Sequence, residues 1–195
     1  MDDQVKSYVN NSLKELTEIL GALQPVIETK LLEAARVIVS VFRAHRRLFI
    51  FGNGGSAADA QHIAAEFVNR FESDRPPLPA IALTTDTSIL TSVSNDRNFN
   101  EVFVQQLKAL GEPGDVALGI STSGASPNVI LALKWAREHG LHTIGFMGKS
   151  ETEMDVYCDI AIHVPSLRTP RIQECHIFMG HLLCGLVERL ILEAN

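Results

Sequence analysis

The sequence predicts an α/β protein: a single doubly wound domain on a five-stranded parallel sheet flanked by helices, with an N-terminal helical pair. Three observations predict it. Short β-rich runs alternate with helical segments along the chain, the pattern of parallel strands joined by crossovers. Two of those runs end directly in loops crowded with glycine or serine. Both ends of the chain are helical in period rather than alternating.

The elements follow in order. Residues 5–42 carry apolar side chains at three- and four-residue steps, among them Leu13, Leu16, Ile19, Leu20 and Leu23. Pro25 punctuates this pattern, so two helices are expected, the second through Ile27, Leu31, Ala34, Ala35, Ile38 and Val41. Arg47-Leu48-Phe49-Ile50-Phe51 is the first strand and runs into Gly52-Asn53-Gly54-Gly55-Ser56, after which residues 57–71 read as helix. Ala80-Ile81-Ala82-Leu83 leads to a Thr/Asp-rich loop, and Asp115-Val116-Ala117-Leu118-Gly119-Ile120 leads to Ser121-Thr122-Ser123-Gly124. Residues 142–146 and 160–164 supply the remaining strands. The last segment, residues 171–193 after Pro170, is apolar on nearly every side, so something must bury it.

At 195 residues one core suffices, and no linker, repeat or low-complexity tract divides residues 1–195. The helices of residues 1–45 exceed what a small sheet needs as cover. They are expected to pack on the sheet domain and between copies of the chain, which favours a homo-oligomer.

A formal net charge of −6 provides no broad basic field, so nucleic acid is disfavoured as a partner, while a small anion bound by a local pocket is not. Neither a basic-then-apolar leader nor an uninterrupted apolar stretch of membrane-spanning length occurs, so a cytoplasmic protein without a membrane partner is expected. Cys158, Cys175 and Cys184 lack Cys-x-x-Cys spacing and read as small buried hydrophobes, not as a disulfide framework or a thiolate metal site.

Ligands of open parallel sheets sit beyond the carboxyl ends of the strands, where both loops lie. Ser121-Thr122-Ser123-Gly124-Ala125-Ser126 offers four hydroxyls and a pliable glycine before a helix starting near Pro127. Helix capping explains one or two of them; a site for an anion explains all four. Gly52-Asn53-Gly54-Gly55-Ser56 matches neither the dinucleotide fingerprint nor the nucleotide-hydrolysing phosphate loop. Its glycines allow close approach of a polyhydroxyl ligand, with Asn53 and Ser56 as hydrogen-bonding groups.

His62 and Glu66 stand four apart on the helix launched from that loop and share a face, either as a solvated pair or as groups converging on one atom. Gln173 and His181 are polar residues in the apolar terminal helix, costly there without partners. A helix-end cap and a hydrogen-bonded core histidine are their plain readings. His176 and Glu174 read as structural.

These stretches, with Asn95-Asp96 and Arg171-Ile172-Gln173-Glu174, resemble phosphoheptose isomerases of the sugar isomerase (SIS) family in the same order and similar spacing, across essentially the whole chain. The resemblance implies the SIS fold and a homotetramer. It also implies interconversion of sedoheptulose 7-phosphate and D-glycero-D-manno-heptose 7-phosphate, an early step toward heptose for lipopolysaccharide and other surface polysaccharide. By resemblance, Asn53, Gly54, Gly55, Ser56, Glu66, Asn95, Asp96 and Gln173 contact substrate, and Ser121, Thr122, Ser123 and Ser126 hold the phosphate. His62, Glu66, Gln173 and His181 look like Zn2+ ligands, one ion per subunit, and Glu66 and His181 like the acid-base pair. Pro170 and Ala125 depart from residues that are often polar in the family. The competing readings are a non-catalytic SIS relative that binds a replication initiator, and a sugar-phosphate sensor.

Overall fold

The computed structural model describes residues 2–193; the other positions of the expected 1–195 domain lie outside the described residues. Strands form where apolar residues run without polar interruption. In β1 (Leu48–Gly52) and β3 (Val116–Ser121) every residue is buried, which requires cover on both faces. β2 (Ala80–Ala82), β4 (His142–Met147) and β5 (Ile160–His163) complete a sheet of order β2-β1-β3-β4-β5, parallel throughout. All five predicted strands are present.

Alternation along the strands builds two cores. Leu48, Ile50, Leu118, Ile144 and Phe146 face one side; Phe49, Phe51, Ala117 and Met147 face the other. The first layer is covered by α2 (Leu32–Arg43), α3 (Gly55–Val68) and α8 (Thr169–Leu192), the second by α5 (Val104–Leu110) and α6 (Pro127–Glu138). Truncating a fully buried side chain such as Ile50 or Leu118 to alanine costs roughly 2–5 kcal/mol.

Pro25 does not divide the N-terminus into two separate helices. α1 (Asp2–Val26) contains it, and the helical backbone continues through a π-helical segment, Ile27–Leu31, into α2. The Leu32 amide donates to the Ile27 carbonyl five residues back, and Val26, Leu31 and Leu32 all keep right-handed helical angles. Pro25 itself lies inside α1, ahead of the wider turn, at the cost of one backbone hydrogen bond to the turn before it.

α8 is long and apolar enough to cross a membrane by length and composition, yet it lies against the sheet core. Ile172, Cys175, Met179, Leu183, Cys184 and Val187 are its buried face.

The chain steps from β1 to the edge strand β2, and from β3 the opposite way to β4 and β5. The order reverses between the neighbours β1 and β3, whose registers pair Gly52 with Ile120. Crevices open at such reversals, so both predicted loops leave the sheet at its best-placed point for a ligand.

Candidate active site

The glycine loop is shaped by contacts a side chain would forbid. A Cβ on Gly52 would fall 2.7 Å from the Ile120 carbonyl oxygen and one on Gly55 2.4 Å from Nε2 of Gln173, while Gly54 adopts φ +54°. Asn53 and Asn128 exchange amide hydrogen bonds of 2.9 and 2.8 Å, pinning the loop to the start of α6. Asn128 was missed in the sequence because only the fold brings it to Asn53. Ser56 is buried, and its amide donates to the Asn53 carbonyl.

In the serine turn, Ser121 Oγ lies 2.9 Å from Ser126 Oγ and accepts the Gly124 amide at 3.1 Å. Ser123 Oγ accepts the Ala125 amide. Ser126 stands at the N-cap of α6 but makes no side-chain cap bond, so capping does not account for its hydroxyl. Gly124 has φ +63° and lies against Thr152, where a Cβ would meet Oγ1 at 2.4 Å. Beside the turn is a cavity of about 160 Å3 lined by Thr122, Ser123, Lys149, Ser150, Ser166 and Thr169, among others. Lys149, Ser166 and Thr169 carried no sequence signal: they reach the turn from the ends of β4 and β5 and the start of α8. A cation and several hydroxyls beside a glycine-bearing turn suit an anion.

α3 and α8 pack together and bring three predicted residues into one group. Nε2 of His62 lies 2.8 Å from Nε2 of His181 and 3.3 Å from Oε1 of Glu66. Phe71 stacks on the His181 ring, with centroids 5.8 Å apart and planes at 25°. Ligand atoms of His62, Glu66 and His181 all fall within 4.8 Å of one another, a group able to hold a metal ion. Two imidazoles and a carboxylate are a donor set that suits Zn2+, so the residues fit such an ion.

Gln173 comes from the first turns of α8. It lies against Gly55, two helical turns before His181, and α8 rises about 12 Å over that interval. Asn95 and Asp96 end α4 (Thr87–Asp96) as exposed residues, with Asn95 donating to Asp96 at 2.8 Å.

Asp59 was missed. It precedes His62 by three residues, so it shares the face of His62 and Glu66, and that spacing was the available signal. Its Oδ2 is buried without a hydrogen-bond partner. Burial pushes its pKa up to about 6, against the pull of His62. Glu174 pairs with Arg171 at 2.6 Å, and Arg171 also donates to Ser12 of α1; His176 is fully buried near the Met147 carbonyl.

Residues 12–148 match the model of the SIS domain family. The chain is 46% identical over 195 residues to a phosphoheptose isomerase of Burkholderia pseudomallei, covering 98% of each. It is 54% identical over 164 residues to one of Nitratidesulfovibrio vulgaris, covering 84% of this chain and 79% of that protein. The solved phosphoheptose isomerase of Neisseria gonorrhoeae superposes with a TM-score of 0.89 at 38% identity, covering 95% of this chain and 99% of that one.

Proposed function

The chain belongs to the phosphoheptose isomerase family of SIS-domain proteins, and from that membership we propose that it interconverts sedoheptulose 7-phosphate and D-glycero-D-manno-heptose 7-phosphate. The observation that carries this reading is the meeting of Glu66 and His181, from two ends of the chain, beside His62. A sensor or a docking scaffold needs no carboxylate and imidazole gathered in that way.

Aldose-ketose isomerisation moves a proton between C1 and C2 through an enediol while the hydroxyl and carbonyl oxygens exchange roles. Glu66 takes the proton from C1 of the ketose and returns it to C2. His181 gives and takes the proton on oxygen and serves ring opening. Ser121, Thr122, Ser123 and Ser126 hold the phosphate, helped by Lys149. Asn53, Gly54, Gly55, Ser56, Asn95, Asp96 and Gln173 contact the sugar. His62, Glu66 and His181 would hold one Zn2+ per subunit, and Gln173, which lies against Gly55, is the proposed fourth ligand. Such an ion would polarise the substrate oxygens.

α3 rises about 16 Å from Gly55 to Glu66, so one protomer keeps its acid-base group most of a helix away from its glycine loop. That span supports an assembly in which neighbouring copies complete each site, and we propose that it is a homotetramer. Val5, Tyr8, Val9 and Leu13 form an exposed apolar stripe on α1 and support the same assembly. We assign the enzyme to the cytosol and to heptose precursor synthesis for surface polysaccharide.

The test offers purified protein several ketose phosphates, with and without a chelator, and follows products by NMR. Conversion of sedoheptulose 7-phosphate that is lost on chelation is expected. No conversion under any metal condition would overturn the reading.

A further inference from the structure

We propose that Arg75 and Glu188 are a positioning pair that sets Glu66 against His181. The proposal rests on the acid-base reading above and extends it to two residues that touch no substrate.

Arg75 and Glu188 are among the most deeply buried charged side chains, with 1% and 3% of their side-chain surface exposed. Arg75 Nε donates to Glu188 Oε2 at 3.1 Å. The rest of its guanidinium turns to the end of α3: Nη2 donates to the Glu66 carbonyl at 2.8 Å and Nη1 to the Phe67 carbonyl at 2.8 Å. A helix leaves its last carbonyls without partners; here a planar cation supplies the Glu66 carbonyl, at the residue whose side chain is the base, and shares the Phe67 carbonyl with the Leu78 amide.

Glu188 lies on α8, two turns beyond His181 and on the same side. Its carboxylate accepts three backbone amides of the loop after α3: Phe71 at 3.3 Å, Glu72 at 3.0 Å and Ser73 at 2.7 Å. Phe71 stacks on His181. One ion pair thus ties the helix of the base, the helix of the acid and the ring packed on the acid into one unit. Carboxylates so used stay ionised: despite burial, the amides and Arg75 hold Glu188 below the usual range. Reacting groups must be held within fractions of an ångström, and Glu66 stands in the last turn of α3, where the helix's own hydrogen bonds run out.

The experiment compares three readouts. Glu188→Gln keeps the shape but turns an N–H group toward a donor whichever way its amide is oriented. Its kcat is expected to fall at least about tenfold while KM for sedoheptulose 7-phosphate stays within about twofold, because the phosphate loop is untouched. A brace that merely stabilises the fold would lower the melting temperature and leave kcat intact at temperatures well below it; that result overturns the proposal. Arg75→Met with Glu188→Leu removes both charges together, so neither is buried alone, although three loop amides and the Glu66 carbonyl lose their partners; its kcat is read well below its own melting temperature. Its kcat is expected to stay low, and wild-type kcat in this folded variant overturns the proposal. In the wild-type protein, the Phe71, Glu72 and Ser73 amides should exchange with solvent as slowly as those of central α8, and exchange at free-loop rates overturns it without any variant. Failure of the wild-type enzyme to isomerise the sugar would instead sink the acid-base reading, and the exchange result would stand apart from it.

Discussion

Gln173 and Gly55 are in contact: the side-chain amide of the first occupies the space a Cβ on the second would need, 2.4 Å from Nε2. Gly55→Ala must push that amide away from the glycine loop. We expect KM for sedoheptulose 7-phosphate to rise about tenfold with a smaller change in kcat, read from steady-state kinetics. An unchanged KM would show that Gln173 is not held there for substrate.

The serine turn makes a parallel demand at Gly124, which combines φ +63° with close contact to Thr152. Gly124→Ala should cost at least about 1–2 kcal/mol in stability from the left-handed backbone alone. It should also weaken inhibition by inorganic phosphate. Thermal unfolding and phosphate titration measure the two effects, and a variant equal to wild type in both would rule out the turn as the anion site.

Burial pushes the His176 pKa down to about 4 from an ordinary 6.5, against a weaker upward pull from the Met147 carbonyl. The depressed folded value means its contribution is fully present above about pH 6.5. Between about 6.5 and 4 the unfolded chain binds a proton that the native protein refuses, so stability declines as pH falls through that window. His176→Phe should flatten this decline in denaturant unfolding at several pH values. An identical slope in variant and wild type would contradict it.

All three cysteines are buried, and burial raises each thiol, Cys158 to about 12, Cys175 to about 11 and Cys184 as well. Native protein should resist alkylation near about pH 8 and label at all three sites once unfolded. Rapid labelling of any one in the folded enzyme, followed by mass spectrometry, would refute this.

Much of the fold was legible because strand and loop signals are local. Leu48 to Phe51 and Val116 to Ile120 are apolar throughout, and each is followed at once by its loop. The π-helical segment was not legible: a proline inside a helical pattern usually ends the helix, and here the helical backbone runs on past Pro25. In the site, His62 and Glu66 were visible as a helical pair, but their meeting with His181 depends on how α3 lies on α8. Asn128 and Arg75 were invisible for the same reason: each acts through a partner far away in sequence, Asn53 and Glu188. Asp59 could have been found from its spacing to His62.

On the proposed mechanism, Glu66 is the base that carries a proton between C1 and C2. The most direct measurement follows Glu66→Gln with sedoheptulose 7-phosphate in deuterated water by NMR. A folded protein that neither forms the aldose nor exchanges a C1 hydrogen for deuterium is expected. Aldose formation, or deuterium entering C1, at the wild-type rate would contradict it.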